Sequence, residues 1–139
     1  MTVPHASLAG RRILVTGGAT GIGAAAVRVL HTAGAQLVAT YHRTAPADDA
    51  AAVTWLQCDV RDADAVDAMF GSAVRELGGL DVLVNAAGSW QPGVPGQITS
   101  EEIDFLLETN VKATILTNQA AHAVMRGSGG RIIDRKSVV

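Results

Sequence analysis

The stretch Arg12-Ile13-Leu14-Val15-Thr16-Gly17-Gly18-Ala19-Thr20-Gly21-Ile22-Gly23 decides the fold. Its first five residues form a short apolar, β-branched run closed by glycines, which is how a parallel strand buried on both faces reads. From Gly21 to about Ala33 the apolar positions Ile22, Ala25, Ala26, Val29, Leu30 and Ala33 recur at three- and four-residue steps. Gly34 then stands where a C′ glycine ends a helix. The sequence therefore specifies strand, glycine turn and helix in succession.

The same alternation continues outward. Gln36 to Tyr41 and Val53 to Gln57 read as second and third strands, separated by a polar, alanine-rich stretch. Asp62 is a good N-cap for a helix with the apolar face Val66, Met69, Phe70, Ala73, Val74 and Leu77, ending at Gly78-Gly79. Leu80 to Asn85 is the fourth strand. After a Pro/Gly loop from Ser89 to Ile98, Thr99 and Glu102 form a capping box, and one long helix is expected from there to about Met125. Gly127-Ser128-Gly129-Gly130 breaks it, and Arg131-Ile132-Ile133 begins a fifth strand. Strands alternating with helices across short connections imply right-handed crossovers, hence an α/β fold with a doubly wound parallel sheet of about five strands. Residues 134–139 are atypical, because Asp134-Arg135-Lys136 sits where a central strand should stay apolar.

Composition bounds the remaining possibilities. A chain of 139 residues with 48% apolar content is expected to form one soluble domain spanning 1–139. The net charge of −2 arises from 11 basic and 13 acidic residues spread along the chain, which leaves no electrostatic footprint for nucleic acid or an acidic membrane surface. Cys58 is the only cysteine, which excludes an internal disulfide and a cysteine-rich metal site; no metal is expected, and Cys58 reads as a buried small apolar side chain. The first twelve residues lack the apolar core of a signal peptide, and no apolar run approaches the ~18 residues of a membrane span. The expectation is a cytoplasmic protein.

The turn Thr16 to Gly23 carries the chemistry. One glycine leaves the strand tightly, a second lets backbone approach a pyrophosphate, and a third lets the helix pack against the sheet. The helix N-terminus then offers unpaired N–H groups and a positive dipole end to phosphates. The expected contacts are Gly17, Thr20, Gly21, Ile22 and Gly23. A phosphate-transfer loop would need a lysine after its last glycine, but Ala24-Ala25 follow Gly23. The glycines alone leave open a methyltransferase, which also binds an adenosine with a glycine turn.

Four marks in order then resemble the short-chain dehydrogenase/reductase family: the turn at Thr16 to Gly23, Asp59-Val60 after the third strand, Asn85-Ala86-Ala87-Gly88 after the fourth, and Asn110 in the following helix. The resemblance implies a Rossmann-type fold and hydride transfer between a nicotinamide dinucleotide and an alcohol or carbonyl substrate. It implies that Asp59 accepts a hydrogen bond from the adenine amino group, that Val60 lies against the ring, and that Asn85 to Gly88 floor the ribose and nicotinamide pocket. It also gives Asn110 the part of perturbing its helix and holding a water. Read from the residues alone, the alternatives are that Asp59 caps a turn, Asn85 ties neighbouring strands, and Asn110 serves the core. Lys112 belongs to a solvated face.

NADP is favoured over NAD, because Ala39-Thr40-Tyr41-His42-Arg43 offers no carboxylate for a ribose 2′-hydroxyl, whereas Arg43 suits a 2′-phosphate. The family's Tyr-x-x-x-Lys pair is absent from these residues, and Tyr41, the one tyrosine, lies on the adenosine side. Aligning the fifth strand places Ser137 at the family's catalytic serine, with a departure from pattern just before it. The chain thus reads as an N-terminal part of such an enzyme, cut before the Tyr-x-x-x-Lys motif and inactive alone. The alternative is a non-catalytic dinucleotide-binding module. For a longer relative the resemblance implies a homo-oligomer through Thr99–Met125, so an uncovered sheet edge and apolar helix face are expected here. Trp90 either lines the substrate mouth or packs on its own domain.

Overall fold

The computed structural model describes residues 7–47 and 52–135. Five strands, β1 (Arg12–Thr16), β2 (Gln36–Tyr41), β3 (Thr54–Gln57), β4 (Val82–Asn85) and β5 (Arg131–Asp134), form one all-parallel sheet in the order β3-β2-β1-β4-β5. The centre is β1, and its alternating side chains build both halves of the core. Ile13 and Val15 pack with Val27 of helix α1 (Gly21–Thr32), Leu37, Ala39 and Val84 on one face. Leu14 packs on the other with Val38, Leu83, Val66 and Phe70 of helix α2 (Ala63–Leu77), and Ala121 and Met125 of helix α4 (Ala113–Met125). A run apolar on both faces is what a strand between two helix layers needs. The chain builds outward from β1 to β3, then returns to place β4 on the other side of β1. That reversal opens a crevice at the carboxyl ends of β1 and β4.

The helix ends follow local chemistry. Gly34 adopts φ +88° just beyond α1. The Asp62 side chain accepts the Ala65 N–H at the start of α2, and Gly78 ends α2 at φ +73°. Such a cap contributes about 1 kcal/mol. Thr99 and Glu102 close their capping box at the start of helix α3 (Ser100–Leu107).

Four expectations are corrected. The single helix expected from Thr99 to Met125 is interrupted: after α3 comes a π-helical turn (Glu108–Lys112), where the Ala113 N–H reaches back five residues to the Glu108 carbonyl, and only then α4. Hydrophobic spacing does not announce a one-residue insertion whose cause is a polar contact made elsewhere in the fold. The fourth strand begins at Val82 rather than Leu80, because Asp81 acts as a latch. Its carboxylate takes the Arg12 backbone N–H at 2.9 Å and the guanidinium at 2.8 and 3.1 Å. The third begins at Thr54 rather than Val53. Finally, β5 is not a buried central strand here. It lies at the sheet edge, exposed throughout, so the Asp134 charge stays out of the core and accepts a hydrogen bond from Asn85 Nδ2 at 2.7 Å. Lys136 and Ser137 fall outside the described residues. The edge carries exposed Ile132 and Ile133, and α3 through α4 exposes Ile103, Leu107, Val111 and Ile115.

The glycine turn is built by close backbone approach. Gly17, at φ +66°, lies so near the chain beyond β4 that a Cβ there would stand 2.6 Å from the Ala87 Cα. A Cβ on Gly23 would strike the Gly17 carbonyl, which is backbone and cannot swing away. Gly21, at φ +52°, faces open space.

Two outcomes are expected. Gly23→Ala should lose upwards of about 2 kcal/mol in a urea titration, since backbone must shift to relieve the clash. Gly21→Ala should lose only the ~1–2 kcal/mol of a left-handed non-glycine residue. The Asp81 carboxyl is held down at about 2 by the side-chain hydrogen bond from Arg12, then by the Arg12 backbone N–H. A carboxyl lowered in the folded state adds stability above its unfolded value near 3.8, and that stability is lost as pH falls towards 2. Thermal melts from pH 5 to pH 2 should therefore show a shallower fall for Asp81→Asn than for the unmodified chain.

Candidate functional site

Two clefts flank Gly17 at the carboxyl end of the sheet. The first, of about 360 Å³, runs from Thr40–Thr44 past Cys58, Val60 and Arg61 to Phe105 and Thr109. The second, of about 390 Å³, lies over Gly21, Ile22 and Ala86 and is walled by Trp90. Both are lined by Gly17, Thr20, Ala87, Gly88 and Ser89, so they are two arms of one groove bent across the glycine turn.

Polar contacts from both neighbouring strands fix that turn. Thr40 on β2 accepts the Gly17 N–H at its hydroxyl, 3.2 Å, and the Gly18 N–H at its carbonyl, 2.7 Å. Thr16 does the same for the chain leaving β4: its carbonyl accepts the Ala86 N–H and its hydroxyl the Ala87 N–H, each at 3.2 Å. Helix α1 opens into the middle of the groove. Its N-cap Thr20 makes no side-chain capping bond, and its first turn holds no acidic residue, whereas α2 and α3 carry both features. The first N–H groups of a helix have no partner within it, and the dipole there favours an anion. An anion crossing the bend meets backbone donors without a competing carboxylate.

The first arm is charged and aromatic. Arg61 holds Asp59 in a fork, Nε to Oδ1 at 2.9 Å and Nη2 to Oδ2 at 2.7 Å, while its own backbone N–H reaches Oδ1 at 3.1 Å. The Arg61 side-chain hydrogen bond holds the Asp59 carboxyl down at about 2, against a smaller opposing effect of burial. His42 Nε2 lies 3.6 Å from Asp59 Oδ2, and the Arg61 guanidinium carbon stands 5.5 Å from the centre of the Phe105 ring. Asp59 therefore both fixes its own turn and backs the cleft wall through Arg61. Arg43 is exposed on the same rim and makes no ion pair among the described residues. Cys58 is buried at the cleft floor, and burial, assisted by Asp59 and Asp62, pushes its thiol up to about 11. A thiol raised that far is inert near neutral pH. Thr40, His42, Arg61 and Phe105 escaped sequence reading. The one local signal was Asp59-x-Arg61, a spacing that also describes an ordinary solvated pair.

The second arm is neutral: no titratable side chain lines it among the described residues. Trp90 is 57% exposed and forms its wall rather than packing into the domain. Asn85, 2% exposed, points away from the groove. Its Nδ2 donates to Asn118 and Asp134, each at 2.7 Å, and its Oδ1 accepts from Thr117 at 2.9 Å, so β4, β5 and α4 are tied beneath the floor. Only Ala86, Ala87 and Gly88 of that motif line the groove. Asn110 clasps Ser89, with Nδ2 donating to its carbonyl at 2.8 Å and Oδ1 accepting its N–H at 3.1 Å. This contact anchors the π-helical turn to the loop beside the groove, and Thr114 caps the Asn110 carbonyl at 2.7 Å. Lys112 lies on an exposed face, 3.9 Å from Glu108. Of the residues expected from sequence, Gly17, Thr20, Gly21, Ile22, Arg43, Val60, Ala86, Ala87 and Gly88 line the groove; Gly23, Asp59, Asn85 and Asn110 support it from behind.

Known proteins with this arrangement agree in sequence and in shape. The short chain dehydrogenase family model matches residues 11–139. Nodulation protein G of a Rhizobium strain is 37% identical over 138 residues, 95% of this chain and 56% of that protein. Human L-xylulose reductase is 35% identical over 138 residues, 94% of this chain and 54% of that one. A short chain dehydrogenase from Burkholderia cenocepacia, solved in complex with NADP, is 38% identical with a TM-score of 0.82, covering 91% of this chain and 55% of that structure. A second solved structure, from Sinorhizobium meliloti, superposes with a TM-score of 0.85 at 35% identity, over 92% of this chain and 54% of its own. The chain spans about half the length of the relatives it matches. With the five-stranded order, the glycine turn and a family match from Arg11 onward, the chain belongs to the short-chain dehydrogenase family.

Proposed function

We propose that residues 1–139 are a single dinucleotide-binding domain of an NADP(H)-dependent oxidoreductase acting on an alcohol or carbonyl, and that by themselves they bind the dinucleotide without turning substrate over. The observation that carries this reading is the side-chain-free contact of Gly17 with Ala87, which opens a bent groove at the N-terminus of an uncapped helix. The residues fit the group. Gly21 turns open backbone towards the bend, as a pyrophosphate requires, and the two arms divide into a charged, aromatic end and a neutral one.

In this reading Gly17, Thr20, Gly21, Ile22 and Gly23 form the pyrophosphate cradle. Asp59 and Val60 serve the adenine, Arg43 the ribose 2′-phosphate, and Ala86, Ala87 and Gly88, fixed from below by Asn85, the floor of the nicotinamide arm. When bound, the nicotinamide supplies or accepts the hydride. This chain's own part is to bind, orient and exclude water. The neutral second arm suits that part, since it holds the ring without an acid or base. Asn110 acts as a positioning residue through Ser89. Ser137 keeps its proposed alignment with the family's serine. Preference for NADP rests on Arg43 and His42 at the rim, on the absence of a carboxylate from Ala39 to Arg43, and on the Burkholderia relative's NADP complex. The exposed apolar face of α3 and α4 supports self-association, and the free thiol of Cys58 suits the reducing cytoplasm.

Titration of the purified chain, followed by nicotinamide fluorescence, should give saturable binding of NADPH tighter than NADH. Arg43→Ala should weaken NADPH about tenfold or more while leaving NADH nearly unchanged, as loss of a charge-assisted contact predicts. Equal affinities unaffected by that change would contradict the NADP assignment.

A further inference from the structure

Trp90 is more than half exposed, yet its place is fixed from both sides. Ser89 before it is clasped by Asn110 through its N–H at 3.1 Å and its carbonyl at 2.8 Å. Gln91 after it donates from Nε2 to Glu102 Oε1 at 3.0 Å, and the other oxygen of that carboxylate accepts the Thr99 N–H at 2.8 Å in the capping box of α3. Beyond Gln91 the loop closes on itself. The Gln97 N–H reaches the Val94 carbonyl at 2.9 Å, and Ile98 packs so near Gly93 that a Cβ there would stand 2.6 Å from its Cγ1. The indole is thus held at the wall of the neutral arm by the anchoring of its neighbours rather than by packing of its own, since it belongs to neither half of the core. It is the one aromatic group of that arm among the described residues, where Ile22 is the only other large side chain. Binding residues concentrate on loops carried by rigid elements, and an anchored aromatic side chain kept out of the core offers a binding surface.

We propose that Trp90 is a specificity-determining residue, and that the alcohol or carbonyl taken by this site carries an aromatic ring that packs on the indole. The proposal rests on the oxidoreductase reading above and adds to it the substrate class and the residue that selects it. An aromatic pair gains attraction between ring face and ring edge beyond the area it buries, so an aryl ketone is held more tightly than a saturated ketone of the same size. An indole also attracts a cation, but no carboxylate lines this arm among the described residues to neutralise one taken out of water, and an uncharged ring suits it better. The clasp on Ser89 and the Gln91–Glu102 contact have the indole in place before the ligand arrives, which spares the cost of ordering it on binding.

The test compares acetophenone with cyclohexyl methyl ketone, which differ in the aromaticity of one ring, by NMR titration of the full 139-residue chain. The chain is loaded with NADP+, so that no hydride is available and only binding is read. The unmodified chain should prefer acetophenone by about fivefold, the factor that one aromatic pair contributes. Trp90→Leu should bring the two ketones to within about 1.5-fold of each other, and Trp90→Phe should keep a preference of about threefold. Gln91→Ala retains the indole but releases one of its anchors, and should cut the preference to about half. A ratio between two ligands is insensitive to a general loss of stability or of cofactor affinity. A preference for acetophenone undiminished in Trp90→Leu, or no binding of either ketone to the loaded unmodified chain, would overturn the proposal and leave the cofactor reading standing. Failure of the unmodified chain to take up NADP+ or NADPH at all would overturn the cofactor reading, and this inference with it.

Discussion

Three stretches of backbone meet with no side chain between them, and the site depends on that meeting. Gly17 approaches Ala87 so closely that a methyl group would stand 2.6 Å from its Cα, and Gly23 packs on the Gly17 carbonyl. The first contact brings the ends of β1 and β4 together; the second sets α1 against the turn. Thr16 and Thr40 then lock the turn from either side, through the Ala87 and Gly17 amides. A larger residue at position 17 or 23 would force strand from strand or helix from turn. The two arms of the groove exist because the meeting point is thin enough for the groove to pass over it.

Around this point the polar groups divide into those that support and those that face outward. Asn85 satisfies its amide on Asn118, Asp134 and Thr117 beneath the floor. Asn110 satisfies its amide on the Ser89 backbone, at the local expense of regular helix geometry. Buried amides need such partners, and here each one stitches a separate element to the groove. Asp59, Arg61 and Arg43 lie towards solvent, and the N-terminus of α1 presents its dipole between the two arms. The charge pattern is that of a surface prepared for an anion in the middle and an aromatic group at one end.

Much of this was legible in the sequence because its signals are local. The run Arg12–Thr16, the glycine after α1, the Asp62 cap and the capping box at Thr99 each act within four residues of themselves, and each appears where the pattern put it. The parts that were not legible depend on partners distant in sequence. The start of β4 moved because Asp81 bonds Arg12, 69 residues away. The helix after Thr99 gained a π-helical turn where Asn110 clasps Ser89, 21 residues back. The fifth strand looked too charged for a sheet only on the assumption that it lay centrally; at the edge, Asp134 has solvent and an Asn85 amide. Arg61 was missed for a different reason. Two residues after an aspartate it looks like a surface pair, and only the fold brings Phe105 to its other face.

The central claim is that the groove across the glycine turn holds a dinucleotide, and residue-resolved NMR of the isotope-labelled chain titrated with NADPH tests it most directly. Saturable shifts of the Gly17, Gly21, Ile22, Ala87 and Gly88 amides are expected at one common midpoint, with the exposed side chains of Leu107, Val111 and Ile115 unperturbed. Saturable shifts confined to that helical face, with the glycine turn silent, would contradict it.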